Sequence, residues 1–152
     1  MDEDGIKIFD LEKHKTKDVK DGYDNGLLTV VWRDWDKIIK TVPKMIYISS
    51  VKPHEKKGPH LHHKRNSYFI CIKGKMVFVI RKKDKKYKEF IVSAKTPKLI
   101  VVPKEYASAH LNLVNTDSEV LVLADIAWKP NDNEMINLEF ENYDWDKWKN
   151  KE

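Results

Sequence analysis

Of six histidines in 152 residues, three stand where backbone geometry could make them act together. The segment Lys57-Gly58-Pro59-His60-Leu61-His62-His63-Lys64-Arg65 sets His60 and His62 two positions apart, and in an extended strand residues two apart share a face. Both imidazoles then look into one space, with Leu61 and His63 on the other side. The run His110-Leu111-Asn112-Leu113 repeats the alternation, pairing His110 with Asn112 and setting the leucines opposite. If a barrel closes these strands together, three histidines and an amide share a cavity. Neutral imidazole titrates near working pH and accepts or donates a proton after a small change of environment. A solitary histidine is more often a core or solvated residue. A His-x-His pair that follows a Gly-Pro turn and precedes an apolar run and a glycine points instead to a functional site, for which proton transfer is one chemistry and metal binding another.

Those histidines need strands to hold them. From Leu27 onward β-rich runs alternate with polar turns, the pattern of an all-β sandwich or barrel. The predicted strands are Leu27–Arg33, Lys44–Val51, Tyr68–Ile72, Lys75–Arg81, Glu89–Val92, Leu99–Val102, His110–Val114 and Val120–Ile126. Asn25-Gly26 reads as a turn and Lys73-Gly74-Lys75 as a tight reversal, while Pro53, Pro59, Pro97 and Pro103 each remove a ladder donor. Residues 1–22 form an N-terminal arm. Residues 130–152 turn acidic and aromatic, with Phe140, Tyr143, Trp145 and Trp148, and are expected to form a short helix or a strap on the barrel. With no repeat or low-complexity linker, one domain spanning 1–152 is expected.

Composition narrows the function classes. A chain of this length supports one core and is short for two ordinary domains. Its hydrophobic share of 41% comes in short runs, which predicts no membrane span. The first residues are acidic and lack a basic-then-apolar leader, so a cytoplasmic location is expected. Cys71, the single cysteine, lies in an apolar run and reads as a buried thiol. The net charge is +5, and its densest cluster, Arg81–Lys88, falls between two predicted strands as a solvated hairpin loop. No helix, zinc or aromatic-repeat motif accompanies it, so nucleic acid is not an expected partner. The charge balance suits a small anionic ligand such as a nucleotide diphosphate.

The run Gly58-Pro59-His60-Leu61-His62, continued by Ser67–Lys73 and Gly74, resembles the first cupin motif, and Val101-Val102-Pro103 through His110 resembles the second. The resemblance implies a cupin jelly roll, a double-stranded β-helix barrel. Metal-binding cupins carry a glutamate between the histidine pair and the glycine, where this chain has Ser67. A divalent transition metal in such a barrel normally takes several imidazoles and a carboxylate, so the exchange favours a site with no metal and no cofactor. A metal-dependent cupin oxygenase or isomerase using His60, His62 and His110 is one competing reading. A non-catalytic nucleotide-sugar-binding module is another.

Within the cupins the chain is similar to the sugar-nucleotide branch, the dTDP-4-dehydrorhamnose 3,5-epimerases and the dTDP-4-keto-6-deoxyglucose 3,4-ketoisomerases. Ile46-Tyr47-Ile48, a turn, and Lys57-Gly58-Pro59-His60-Leu61-His62 resemble the ketoisomerase pattern of a tyrosine-bearing strand followed by R-G-F-H-A-H. The resemblance implies that His60 and His62 work in the active site, beside Tyr47. Lys57 stands for the family's arginine near the nucleotide phosphates, keeping charge without the bidentate fork. Trp128 stands where the epimerases have a tyrosine, leaving Tyr47, Tyr68 or Tyr106 to supply a proton donor. Lys57, Lys64 and Arg65 are the expected diphosphate contacts, and His110, Asn112 or a tyrosine hydroxyl the expected enolate stabilisers. The implied partner is a nucleotide-diphosphate sugar of surface-polysaccharide synthesis, isomerised or epimerised beside its C4 carbonyl. A ring-form mutase is a further possibility of the same class. The branch also implies a homodimer, which exposed strand edges would favour.

Overall fold

The computed structural model describes residues 5–150. The strands in chain order are β1 (Lys7–Asp10), β2 (Lys13–Lys17), β3 (Asp24–Thr29), β4 (Met45–Val51), β5 (Lys56–His62), β6 (Ser67–Lys73), β7 (Lys75–Arg81), β8 (Tyr87–Ser93), β9 (Lys98–Val102), β10 (Ala107–Asn112), β11 (Ser118–Ala124) and β12 (Met135–Asn137). One 3-10 turn, Trp145–Trp148, follows.

Two five-stranded antiparallel sheets, ordered β1-β9-β6-β11-β4 and β12-β5-β10-β7-β8, face each other. The chain changes sheet between β4 and β5, β5 and β6, β6 and β7, β8 and β9, β9 and β10, β10 and β11, and β11 and β12, as a jelly roll does. The Gly74 reversal makes the change from β6 to β7. Gly74 has φ of +80°, and a Cβ there would come within 2.1 Å of the Ser118 hydroxyl. The predicted cupin barrel is therefore the fold.

Phe69, Cys71, Met76, Phe78, Ile80, Ile100, Val120 and Val122 fill the space between the sheets. Each sheet is also covered outside. Val31, Trp32 and Ile39 pack on Tyr68, Ile70, Leu99 and Leu123. The expected aromatic strap, Phe140, Tyr143, Trp145 and Trp148, lies over Val77, Val79, Ala107 and Ala109. Double coverage explains why β7 reads Met76-Val77-Phe78-Val79-Ile80 without alternation: both its faces are interior. β4 alternates because its inward side holds Tyr47, Ser49 and Val51 while Ile46 and Ile48, 58% and 59% exposed, face out.

Several expectations change. The strand expected over Leu27–Arg33 lies at Asp24–Thr29 and pairs with β2 in a separate two-stranded sheet, so Asn25-Gly26 is inside a strand. The turn falls instead between Asp18 and Tyr23. The arm holds β1 and β2, the first of which extends the barrel along β9. The tail contributes β12 as well as its strap. The Arg81–Lys88 cluster is the β7–β8 hairpin as expected, and Cys71 is buried, its thiol pushed up to about 11 by desolvation. No helix among the described residues is long and apolar enough to cross a membrane.

Candidate active site

β5 can pass close to β10 because residue 58 has no side chain. Gly58 has φ of +86°, and a Cβ there would stand 2.8 Å from the carbonyl oxygen of Ser108. Beyond it, His60 and His62 point the same way, as the strand period requires. On its other edge β5 pairs with β12, which sets Asn137 opposite His60 and Met135 opposite His62.

Each histidine is held through Nδ1. Nδ1 of His62 lies 2.7 Å and 3.0 Å from the two oxygens of Glu134. A carboxylate accepts, so this nitrogen carries the proton. Nη2 of Arg65 lies 2.8 Å from Nε2 of the same ring. A guanidinium only donates, so Nε2 presents its lone pair. His62 is thus a neutral imidazole oriented by a carboxylate. Burial is the first cause holding its pKa below the usual histidine value, Arg65 adds to it, and Glu134 opposes both. His60 repeats the pattern with a neutral partner, its Nδ1 lying 2.7 Å from Oδ1 of Asn137.

Two side chains reach from this region to β4. Nζ of Lys57 donates to Oγ of Ser49 at 2.6 Å, and Nη2 of Arg65 donates to the Tyr47 hydroxyl at 3.2 Å. Tyr47, Arg65, His62 and Glu134 form one hydrogen-bonded chain from the first sheet to the segment entering β12. Beside it a cavity of about 320 Å³ is lined by His62, Arg65, Trp128, Asn131, Glu134 and Met135. That is near the lower bound of ligand pockets, about 300 Å³.

The other expected residues are not all gathered here. His110 is inside the barrel but stacks on Phe78, ring centroids 4.9 Å apart, and its Nε2 has no hydrogen-bond partner. Asn112 belongs to the frame. Its amide donates to the carbonyls of Val51, Lys52 and Thr116, and its oxygen accepts from Val114 N–H and the Ser118 hydroxyl, so nothing remains for an enolate. Tyr68 is turned to the outer face of its sheet, packed with Ile39 and Leu99, because it alternates with the inward Phe69. Lys64 is exposed. Tyr106 is in the inner core with an unpartnered hydroxyl, next to Glu105, whose N–H donates to the His62 carbonyl. Two residues of the site, Glu134 and Asn137, were not among those expected. Glu134 ends a polar stretch and Asn137 sits between Ile136 and Leu138, and the signal available was the spacing of two side chains able to accept from imidazole, about one short strand apart.

A three-histidine metal centre does not fit this geometry. Nε2 of His62 faces a cation, Nδ1 of His60 faces Asn137 of β12, Nδ1 of His62 faces Glu134 just before it, and His110 stacks against a phenyl ring. Among the described residues no three His, Cys, Asp or Glu side chains are grouped to hold a metal ion.

A jelly roll with paired histidines on one inward strand defines the class as a cupin. The chain belongs to the family described as FdtA: WxcM-like, C-terminal, whose model matches residues 4–144. Its structure is similar to CapF from Staphylococcus aureus, a capsular polysaccharide assembling protein, at 27% identity and a TM-score of 0.59 over 62% of this chain. The chain spans about a quarter of CapF, 26% of its length. It is also similar to QdtA, a sugar 3,4-ketoisomerase from Thermoanaerobacterium thermosaccharolyticum solved with TDP, at 16% identity and a TM-score of 0.70, covering 97% of this chain and 93% of that one. A third is the dTDP-6-deoxy-D-glucose-3,5-epimerase RmlC from Legionella pneumophila Philadelphia 1 in complex with dTDP-4-keto-L-rhamnose. There the identity is 11% and the TM-score 0.74, covering 93% of this chain and 76% of that one. The last two share its fold. Among curated proteins none matches this sequence.

Proposed function

We propose that this protein is a nucleotide-sugar isomerase or epimerase that moves a proton beside the C4 carbonyl of a nucleotide-linked 4-keto-6-deoxy sugar, without a metal. The observation that carries the reading is the Glu134–His62 pair, a carboxylate on Nδ1 that leaves Nε2 as a base. Membership of the FdtA family, together with a fold similar to a 3,4-ketoisomerase and a 3,5-epimerase, supports the substrate class. The likeness to CapF supports a place in surface-polysaccharide synthesis.

In this mechanism Nε2 of His62 removes the proton from the carbon next to the carbonyl. Glu134 steadies the imidazolium that results, by the same hydrogen bond that fixed the tautomer. Reprotonation at the former carbonyl carbon, with the adjacent hydroxyl's proton passing to the former carbonyl oxygen, gives a ketoisomerase, and reprotonation of the original carbon from the opposite face an epimerase. His60 is two residues away on the same face, roughly 6.6 Å along the strand, within reach of the far side of a sugar ring. It is the proposed second proton carrier, with Tyr47 as the tyrosine of the site. Lys57, beside Ser49, is the proposed diphosphate contact. A homodimer formed through β4 and a cytoplasmic location complete the reading.

The test is proton exchange. The protein is incubated with dTDP-4-keto-6-deoxyglucose in D2O, and deuterium entering the sugar is followed by NMR. The wild type incorporates it, and His62→Asn loses the rate by about 10²–10⁴-fold, the usual contribution of a general base. Full exchange in both His60→Asn and His62→Asn overturns the reading.

A further inference from the structure

Arg65 is 8% exposed, and no carboxylate of the described residues pairs with it. Its Nη2 reaches the Tyr47 hydroxyl and Nε2 of His62, and its Nε has no partner. Glu134, the carboxylate of this cluster, is spent on the opposite nitrogen of the ring. A buried cation held only by neutral acceptors is costly, and the cost falls when an anion joins it. The second observation concerns the base itself. The guanidinium rests at 2.8 Å on the lone pair that must receive a proton, and no C–H can reach Nε2 while an N–H occupies it.

Resting on the proton-transfer reading of this site, we propose that Arg65 is a catalytic residue that exchanges one acceptor for another. In the free protein it caps Nε2 of His62, and with substrate bound it turns to the sugar's carbonyl oxygen, releasing the base and stabilising the enolate that the base creates.

Position decides between carbonyl and diphosphate. A group in contact with the proton-accepting nitrogen stands beside the carbon that loses the proton, and the carbonyl oxygen is attached to the next atom. The diphosphate hangs from C1, across the ring from C4. In the step itself, the C–H proton passes to Nε2, and its electron pair becomes the new C–C double bond. The carbonyl π pair moves onto oxygen, which accepts the N–H of Arg65. Reversing the flow at the same carbon returns the proton; when the former carbonyl carbon receives it instead, the adjacent hydroxyl gives its proton to the former carbonyl oxygen as the new carbonyl forms, so no oxidant or reductant is needed. Departure of the cation also raises the basicity of His62 at the moment the base is required. Tyr47, bonded to Nη2, holds the guanidinium within reach of both acceptors.

The experiment pairs Arg65→Gln with Arg65→Lys in the full chain, with thermal melts to establish folding. Removing one fixed donor to a developing oxyanion lowers kcat about 10²–10³-fold, and that is the loss expected for R65Q, with little change in KM. R65K keeps the charge without the fork and is expected between R65Q and wild type. The groups facing His62 are Arg65, Glu134 and His60, with Tyr47 behind Arg65. Carbon-13 NMR of labelled histidine should therefore show its titration midpoint rising in R65Q, where the cation is gone and the carboxylate stays. If R65Q does not fold, R65K carries the kcat measurement.

Wild-type exchange with undiminished kcat in both variants overturns the proposal and leaves the sugar reading standing. An unmoved His62 midpoint in R65Q does the same. Should dTDP alone shift that midpoint to its R65Q value, the guanidinium goes to phosphate, and its assignment to the carbonyl is overturned. Absence of wild-type exchange into any 4-keto sugar removes the sugar reading and this step with it.

Discussion

The Glu134 carboxylate accepts the Nδ1 proton of His62 at 2.7 Å across 72 residues of sequence. That contact fixes which nitrogen carries the proton, and Glu134→Gln keeps the shape while removing the charge. The expected result is a fall of about 10²–10⁴-fold in the rate of solvent deuterium incorporation. The His62 midpoint should move down, since the carboxylate that raises it has been neutralised. Opposite displacements in E134Q and R65Q, read by histidine NMR, would establish that the ring is balanced between an anion and a cation.

His110 gives the protein a pH limit. Burial lowers its pKa to about 3, with repulsion from Lys57 and His60 as lesser causes, against 6.5 for the free side chain. Between those values the unfolded chain binds the proton and the folded chain does not. The contribution of His110 is therefore fully present above about pH 6.5 and is lost as pH falls toward 3, with a slope approaching 1.4 kcal/mol per pH unit at ~25 °C. His110→Leu removes the titrating group. Urea midpoints measured from pH 7 to pH 4 should fall less steeply in H110L than in wild type, and equal slopes would refute this source.

β4 is an edge strand whose outer face carries Ile46 and Ile48, 58% and 59% exposed. An apolar edge of that kind invites pairing. Replacing both by Lys should halve the mass seen in sedimentation of the proposed dimer. An unchanged mass would place the interface elsewhere.

Trp148 anchors the strap over the second sheet, its Nε1 donating to the Tyr143 hydroxyl at 2.8 Å. That hydroxyl donates to Glu89, which Lys147 also reaches. Trp148→Ala should cost about 3–5 kcal/mol, the range for truncating a buried aromatic. Denaturant unfolding measures the loss, and the His62 titration should not move, because β12 is held by β5 rather than by the strap.

What could be read in advance followed from how many neighbours a segment has. β6, β7 and β9 are interior on both faces or nearly so, and their unbroken apolar runs announced them. The two-residue period also placed His60 with His62, and His110 with Asn112, before any pairing was known. β12 offered no such signal. Met135-Ile136-Asn137 is too short to show a period, and it is a strand only because β5 lends it a ladder. The roles of Asn112 and Arg65 were hidden for a related reason. Asn112 became framework through carbonyls up to 61 residues away, and Arg65 acquired its place through a ring three residues back and a tyrosine on the other sheet.

The order of parts along the chain has a bearing on biogenesis. Every barrel strand through β11 precedes the residues that orient the two histidines, Glu134 and Asn137. A ribosome therefore releases both imidazoles and most of the hydrophobic interior before the groups that set their tautomers emerge. Until residues 134–137 dock on β5, neither imidazole has its Nδ1 partner. On the proposed proton-transfer reading, the site is completed after the barrel by four residues, 134–137.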